Sequence, residues 1–273
     1  MAADVARRSR PGPLLALGQV RYQLLLLLRS PLGFFITLVI PLLLLVSLNV
    51  VHPSSAAAGA AGRLRYAQFL TPAVSAFCLI NACYVTTVTS MVLAREEGIL
   101  KRLRGTPLPA WTYLGGRSGS ALVTSLVSVA IIIVTGVSFF HVIIVWRAIG
   151  YFAASAGLGM VCFFLLGVAV TMAVPKTDAA LPVAYGTMLP LAFISDVFFP
   201  SVHAPHWLYD LASAFPVAPV ARAMEASFKP ATHAWPMPAT GLLVVLGWTA
   251  AAAAVIALGF RWEPGPIPWH ARR

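Results

Sequence analysis

The chain has 273 residues, 59% of them hydrophobic and only 10% charged, with a formal net charge of +11. A soluble domain carries about a quarter charged residues. A mean hydropathy of +0.85 means more apolar surface than one core can bury, which excludes a water-soluble globule and implies an all-α membrane protein. The positive balance does not point to nucleic acid, because no basic–aromatic stretch lies outside the apolar segments.

A helix that crosses a bilayer needs about 20 mostly apolar residues. Before the first such run, residues 13–30 place Leu17, Val20, Leu24, Leu27 and Leu28 at helical spacing, interrupted by Gln19, Arg21, Gln23 and Arg29. That pattern predicts an N-terminal interfacial helix, since Arg21 would be costly at the centre of a span. Arg7, Arg8 and Arg10 resemble the start of a signal peptide, but no small-residue cleavage site follows cleanly.

Six transmembrane helices are expected, at residues 31–51 and at about 67–93, 118–140, 149–174, 179–199 and 238–260. If the N-terminus is cytoplasmic, 14 of the 19 Lys and Arg residues fall in cytoplasmic segments. The positive-inside rule then puts both termini in the cytoplasm. The Arg-over-Lys bias, 16 to 3, suits a GC-rich bacterial genome, and hence a multi-pass protein of the bacterial cytoplasmic (inner) membrane. Between the fifth and sixth spans, residues 200–237 remain apolar. Trp207, Leu208, Leu211 and Phe215 recur at helical spacing before Pro216 and Pro219 break the pattern. Short helices dipping into the outer leaflet would account for this, provided protein or water shields their irregular backbone. With no linker or repeat, residues 1–273 read as a single transmembrane domain.

The densest charge lies between the second and third spans, in Ala94-Arg95-Glu96-Glu97-Gly98-Ile99-Leu100-Lys101-Arg102-Leu103-Arg104-Gly105-Thr106-Pro107-Leu108-Pro109. Ile99, Leu100 and Leu103 share a helical face, and Gly98, Gly105, Pro107 and Pro109 bound it. A short amphipathic helix held between two spans suits docking to a soluble partner. A generic positive-inside loop fits the composition equally well.

The run EEGILKRLRGTPLP resembles the cytoplasmic segment of ABC-2-type permeases. The run FISDVFFPSVHAPHWLYDLASAFPVAPVARAM, residues 193–224, resembles the same family's fifth span and outer re-entrant region. Drug-resistance exporters of the daunorubicin type are among the similar members. The resemblance implies a homodimer or heterodimer of six-span chains, each paired with a P-loop ATPase subunit. ATP and Mg would be bound by that partner, not by this chain. It also implies an ATPase-coupling role for Arg95, Glu96, Glu97, Gly98, Leu100, Lys101, Arg102, Leu103, Arg104, Thr106 and Pro107. The resemblance further implies an outer gate at Asp196, Phe198, Phe199 and Pro200, where Asp196 departs from the small residue common at its position in the family. In agreement with a separate motor, the chain has no GxxxxGK[ST] motif.

Other candidates are weaker. Asn81, Thr86, Thr87, Thr89 and Ser90 put polar groups along the second span, where they line a pathway or dimer interface or bond within the helix. An ionisable Asp196 near the membrane either lines a pathway, relays protons or snorkels to the interface; its proton reading is the one support for a proton-coupled secondary transporter. Gly116-Arg117-Ser118-Gly119 matches an intramembrane-protease tetrapeptide, but the sixth span offers no His as base. Cys78, Cys83 and Cys162 lie in apolar runs without a CxxC pair, and His203 and His206 in the outer segment read as solvent or headgroup contacts, so no metal site is expected.

Overall fold

The computed structural model describes residues 38–51, 59–98, 110–195, 206–229, 235 and 237–259. The N-terminal interfacial helix, most of the coupling segment and residues 196–205 lie outside the described residues. In chain order the helices are α1 (Ile40–Val51), α2 (Gly59–Ile80), α3 (Thr86–Glu96), α4 (Ala110–Phe140), α5 (Ile149–Thr171), α6 (Thr177–Ile194), α7 (His206–Ser213), α8 (Val217–Ala226) and α9 (Ala239–Gly259). A five-residue π-helical stretch, Asn81–Val85, joins α2 to α3.

Five of the described helices are long and apolar enough to cross a membrane: Tyr66–Glu96, Gly116–Phe140, Trp146–Thr171, Thr177–Ile194 and Ala239–Leu258. The first predicted span is described only as α1, 12 residues long. The third expected span, about 118–140, corresponds to Gly116–Phe140, within a longer helix α4 that runs unbroken from Ala110. Pro216 separates α7 from α8 as expected, whereas Pro219 sits inside the first turn of α8, where its missing N–H costs nothing.

Lipid supplies no hydrophobic drive for helices to associate, so close packing, small residues and interhelical hydrogen bonds must do it. The second span is the axis. Its most apolar window is 78% buried, against 17% for α9. It packs against α1, α4, α5, α6 and α8, with Leu70, Leu79 and Ile80 essentially inaccessible. The outer helices meet lipid along faces such as Leu122, Leu126 and Val134 of α4 and Leu243 and Leu258 of α9. α8 is buried along most of its length, between α2 and α5. α7 is tied down by Trp248, whose Nε1 donates to the Ala214 carbonyl at 2.9 Å, and by Arg222, whose guanidinium stacks 3.8 Å from the Tyr209 ring centroid.

Glycine lets the helices approach. A Cβ on Gly167 of α5 would lie 3.1 Å from the Tyr84 carbonyl oxygen and 3.2 Å from the Thr87 Cβ. The backbone of α5 therefore lies against the π-helical stretch.

Candidate functional site

The second span carries the chemistry, in two places. The first is its Arg95 end. α3 closes with Gly98 at φ 69, the left-handed residue that commonly ends a helix, and the Glu97 N–H bonds the Leu93 carbonyl at 2.9 Å. Arg95 does not extend into the charged segment. Its Nη1 donates to the Thr171 carbonyl at 3.1 Å and its Nη2 to the Val174 carbonyl. Glu96 reaches the other way, with Oε2 accepting the Thr177 N–H at 3.1 Å. A cation thus meets the carbonyl-rich C-terminus of α5, and an anion meets the N–H-rich start of α6. Both match the helix dipoles. Adjacent residues of one span therefore cap both sides of the α5–α6 turn.

The second place is the middle of the span. In the π-helical stretch the Thr86 N–H reaches back five residues to the Asn81 carbonyl, which also accepts the Thr86 hydroxyl at 3.2 Å. Such one-turn widenings are frequent at functional positions. Here the widening turns two side chains toward α6. Asn81 Nδ2 donates to the Tyr185 hydroxyl at 3.3 Å, and the hydroxyls of Tyr84 and Thr187 lie 2.7 Å apart. In hydrocarbon a polar side chain needs a partner, and each of these four supplies the other's.

Beside these pairs, α1, α2 and α6 border an open cleft of about 590 Å³ lined by Ile40, Leu44, Leu48, Phe77, Tyr185, Leu189 and Phe193. Its walls are apolar apart from the Tyr185 hydroxyl, which is engaged with Asn81.

The candidates from the sequence fall into three groups. Arg95, Glu96, Glu97 and Gly98 sit together at the end of α3; Arg95 and Glu96 are spent on the α5–α6 turn, and Glu97 is exposed. Asn81 and Thr87 are buried within the subunit, at 0% and 2% exposure, while Thr86 and Ser90 are half-buried. The Ser90 hydroxyl is used within the helix, on the Thr86 carbonyl, as is Thr89 on Val85 at 2.9 Å. Leu100, Lys101, Arg102, Leu103, Arg104, Thr106 and Pro107, and the gate candidates Asp196, Phe198, Phe199 and Pro200, lie outside the described residues. Gly116 to Gly119 fall inside the regular helix α4.

Sequence reasoning missed Tyr84, Tyr185, Thr187 and Gln68. Gln68 Nε2 donates to the Ile143 carbonyl at 2.7 Å and to the Phe228 carbonyl at 2.9 Å. An amide in an otherwise apolar run was the available signal, because such a group must find partners across helices.

A family model described as ABC-2 type transporter matches residues 19–228. That match spans the second span, the α5–α6 turn, the cleft and α8. No curated protein matches the chain.

Proposed function

We propose, from the premise that this chain belongs to the ABC-2 type transporter family and is a multi-pass permease subunit of an ABC transporter, that it works in ATP-driven export as one of two permease chains joined to separate P-loop ATPase subunits. The orientation rests on the charge count: the Arg95 end faces the cytoplasm, with both termini, and the Gln68 end faces outward. The membrane is the bacterial inner membrane. The reading includes a sixth span completed by residues before α1, an interfacial helix at 13–30, and a re-entrant character for α7 and α8. The exporter assignment is carried by one observation, the family match across residues 19–228.

The ATPase docks on residues 95–109, where Lys101, Arg102 and Arg104 present charge and Leu100 and Leu103 an apolar face. Glu97 is exposed for the same contact. Displacement of this segment carries α3 with it. Through Arg95 and Glu96 it also carries the α5–α6 turn, so α6 moves with the motor. α6 forms one wall of the apolar cleft, which suits an apolar or amphipathic cargo. Asp196, Phe198, Phe199 and Pro200 follow α6 directly in sequence and form the outer gate.

The test is reconstitution in proteoliposomes with the ATPase subunit. ATP should drive transport, and removal of residues 98–104 should abolish ATPase binding while leaving the chain membrane-inserted. Normal ATPase binding by that deletion would refute the docking site. Transport that persists without ATP and collapses with the proton gradient would establish the secondary-transporter alternative.

A further inference from the structure

The outward end, as oriented above, depends on one side chain. α4 ends just before His141, which has φ 54, and the Val142 N–H bonds back to the Gly136 carbonyl at 3.2 Å, closing the helix through a left-handed residue. From His141 to Val145 the backbone is irregular. Its polar groups must be satisfied by protein or water. Gln68 satisfies both groups of Ile143: Nε2 donates to the carbonyl at 2.7 Å, and Oε1 accepts the N–H at 2.9 Å. The same Nε2 donates to the Phe228 carbonyl at 2.9 Å, in the turn that follows α8. One carboxamide therefore joins three separate pieces of chain: α2, the segment after α4, and the end of α8.

Two further features make this joint suited to opening. Pro72 lies four residues beyond Gln68 in α2, so the Gln68 carbonyl has no helical N–H to accept, and the helix is weakened at that turn. The apolar contacts nearby lie on both sides of the joint, with Val142 and Phe228 buried at 3% and 5% exposure. Phe228 meets Phe152 of α5 edge-on at 5.4 Å, whereas Ile143 and Lys229 are exposed. The bonds to Ile143 lie at the exposed rim of that core, so releasing them would free the Ile143 backbone from the end of α8 while Val142 and Phe228 stay packed.

We propose that Gln68 is the fastener of the outward end: its carboxamide holds the segment after α4 and the end of α8 against α2, and it releases when that end opens in the transport cycle. The inference rests on the orientation and ATP-driven cycle proposed above. Gln68 is a positioning residue; it acts through the backbone it holds.

The experiment uses the full chain in nanodiscs, with spin labels at Ile143→Cys and Lys229→Cys. Cys78, Cys83 and Cys162 are buried, so labelling is confined to the two introduced sites. The resting protein should give a single short distance. Addition of the ATPase subunit and a non-hydrolysable ATP analogue should produce a second, longer one. Gln68→Leu removes all three bonds and should show the longer distance at rest, without nucleotide. Gln68→Glu loses both N–H donors when ionised, but regains one donor when protonated. It should show the longer distance at neutral pH and revert as the pH is lowered, whereas Gln68→Leu stays long throughout. That reversal is not expected of a residue needed only for packing. If Gln68→Leu fails to insert, the pH reversal of Gln68→Glu decides. A single short distance in both resting variants, or a Gln68→Glu distance indifferent to pH, overturns the fastener. Variants that release while the unsubstituted protein never responds to nucleotide uphold the fastener and overturn its place in an ATP-driven cycle.

Discussion

Replacing Gly167 by alanine tests the packing that seats α5 on the π-helical stretch. In a helix interior, alanine is favoured over glycine by about 0.8–1.0 kcal/mol. Gly157, in the same helix, has nothing within 4 Å of a Cβ, so Gly157→Ala should realise most of that gain. At Gly167 the added methyl lies 3.1 Å from a backbone oxygen, with Thr87 atoms at 3.2 and 3.3 Å. A backbone carbonyl inside a helix cannot rotate away, and overpacking of this kind costs about 1–3 kcal/mol. The net expectation for Gly167→Ala is a loss of roughly 0–2 kcal/mol. Gly159→Ala should be worse still, because its Cβ would lie 2.8 Å from the Cγ1 of Val220, whose χ1 is stiff. Thermal unfolding of the purified chain in one detergent should therefore rank Gly157→Ala above the unsubstituted protein, then Gly167→Ala, then Gly159→Ala. A Gly167→Ala midpoint as high as that of Gly157→Ala would refute the close approach of α5 to the bulge.

The remaining predictions use the same preparation. Tyr84→Phe should cost about 0.6–1.7 kcal/mol. In a double-mutant cycle with Thr187→Val most of that should appear as coupling energy, and strict additivity would break the proposed pair. Arg95→Ala should expose the Thr171 and Val174 carbonyls and speed hydrogen exchange across residues 172–177; Arg95→Lys should restore it only partly, since one ammonium cannot reproduce the two-pronged contact. Unchanged exchange in Arg95→Ala would refute the capping role. Gly98→Ala forces a side chain into the left-handed region at a cost of about 1–2 kcal/mol, so its melting midpoint should fall although a Cβ there meets no neighbour; an unchanged midpoint would refute the left-handed cap.

The spans were legible because lipid filters sequence harshly. The fourth is expected at about 149–174 and runs Ile149–Thr171; the sixth is expected at about 238–260 and runs Ala239–Gly259. Both are plain apolar runs whose ends follow the loss of hydropathy. The extension of α4 back to Ala110 was not legible, because residues 110–117 are too polar for a hydropathy window and include the Gly115–Gly116 pair, which by itself disfavours a helix. The importance of the second span was visible in Asn81, Thr86, Thr87 and Ser90. Their partners were not, since Tyr185 and Thr187 lie about a hundred residues away and only packing brings them near. The π-helical turn has no sequence mark at all; Asn-Ala-Cys-Tyr-Val would suit an ordinary α-helix. Arg95 and Glu96 read as charges for a partner because the motif clusters them with Lys101 and Arg102. Their use on the α5–α6 turn depends on where two other helices end.

The widened turn at Asn81–Val85 has a consequence for how this span tolerates change in length. An α-helix advances about 100° per residue, so deleting one residue within α2 or α3 would swing everything beyond it to a new bearing. A π-turn behaves as one surplus residue absorbed into the coil. Excising a residue there would straighten the span while leaving Gln68 and Arg95 in their present rotational phase. The bulge is thus the one described stretch of the second span where a single-residue deletion keeps both ends in register, at the cost of the side-chain pairs that the surplus residue turns toward α6.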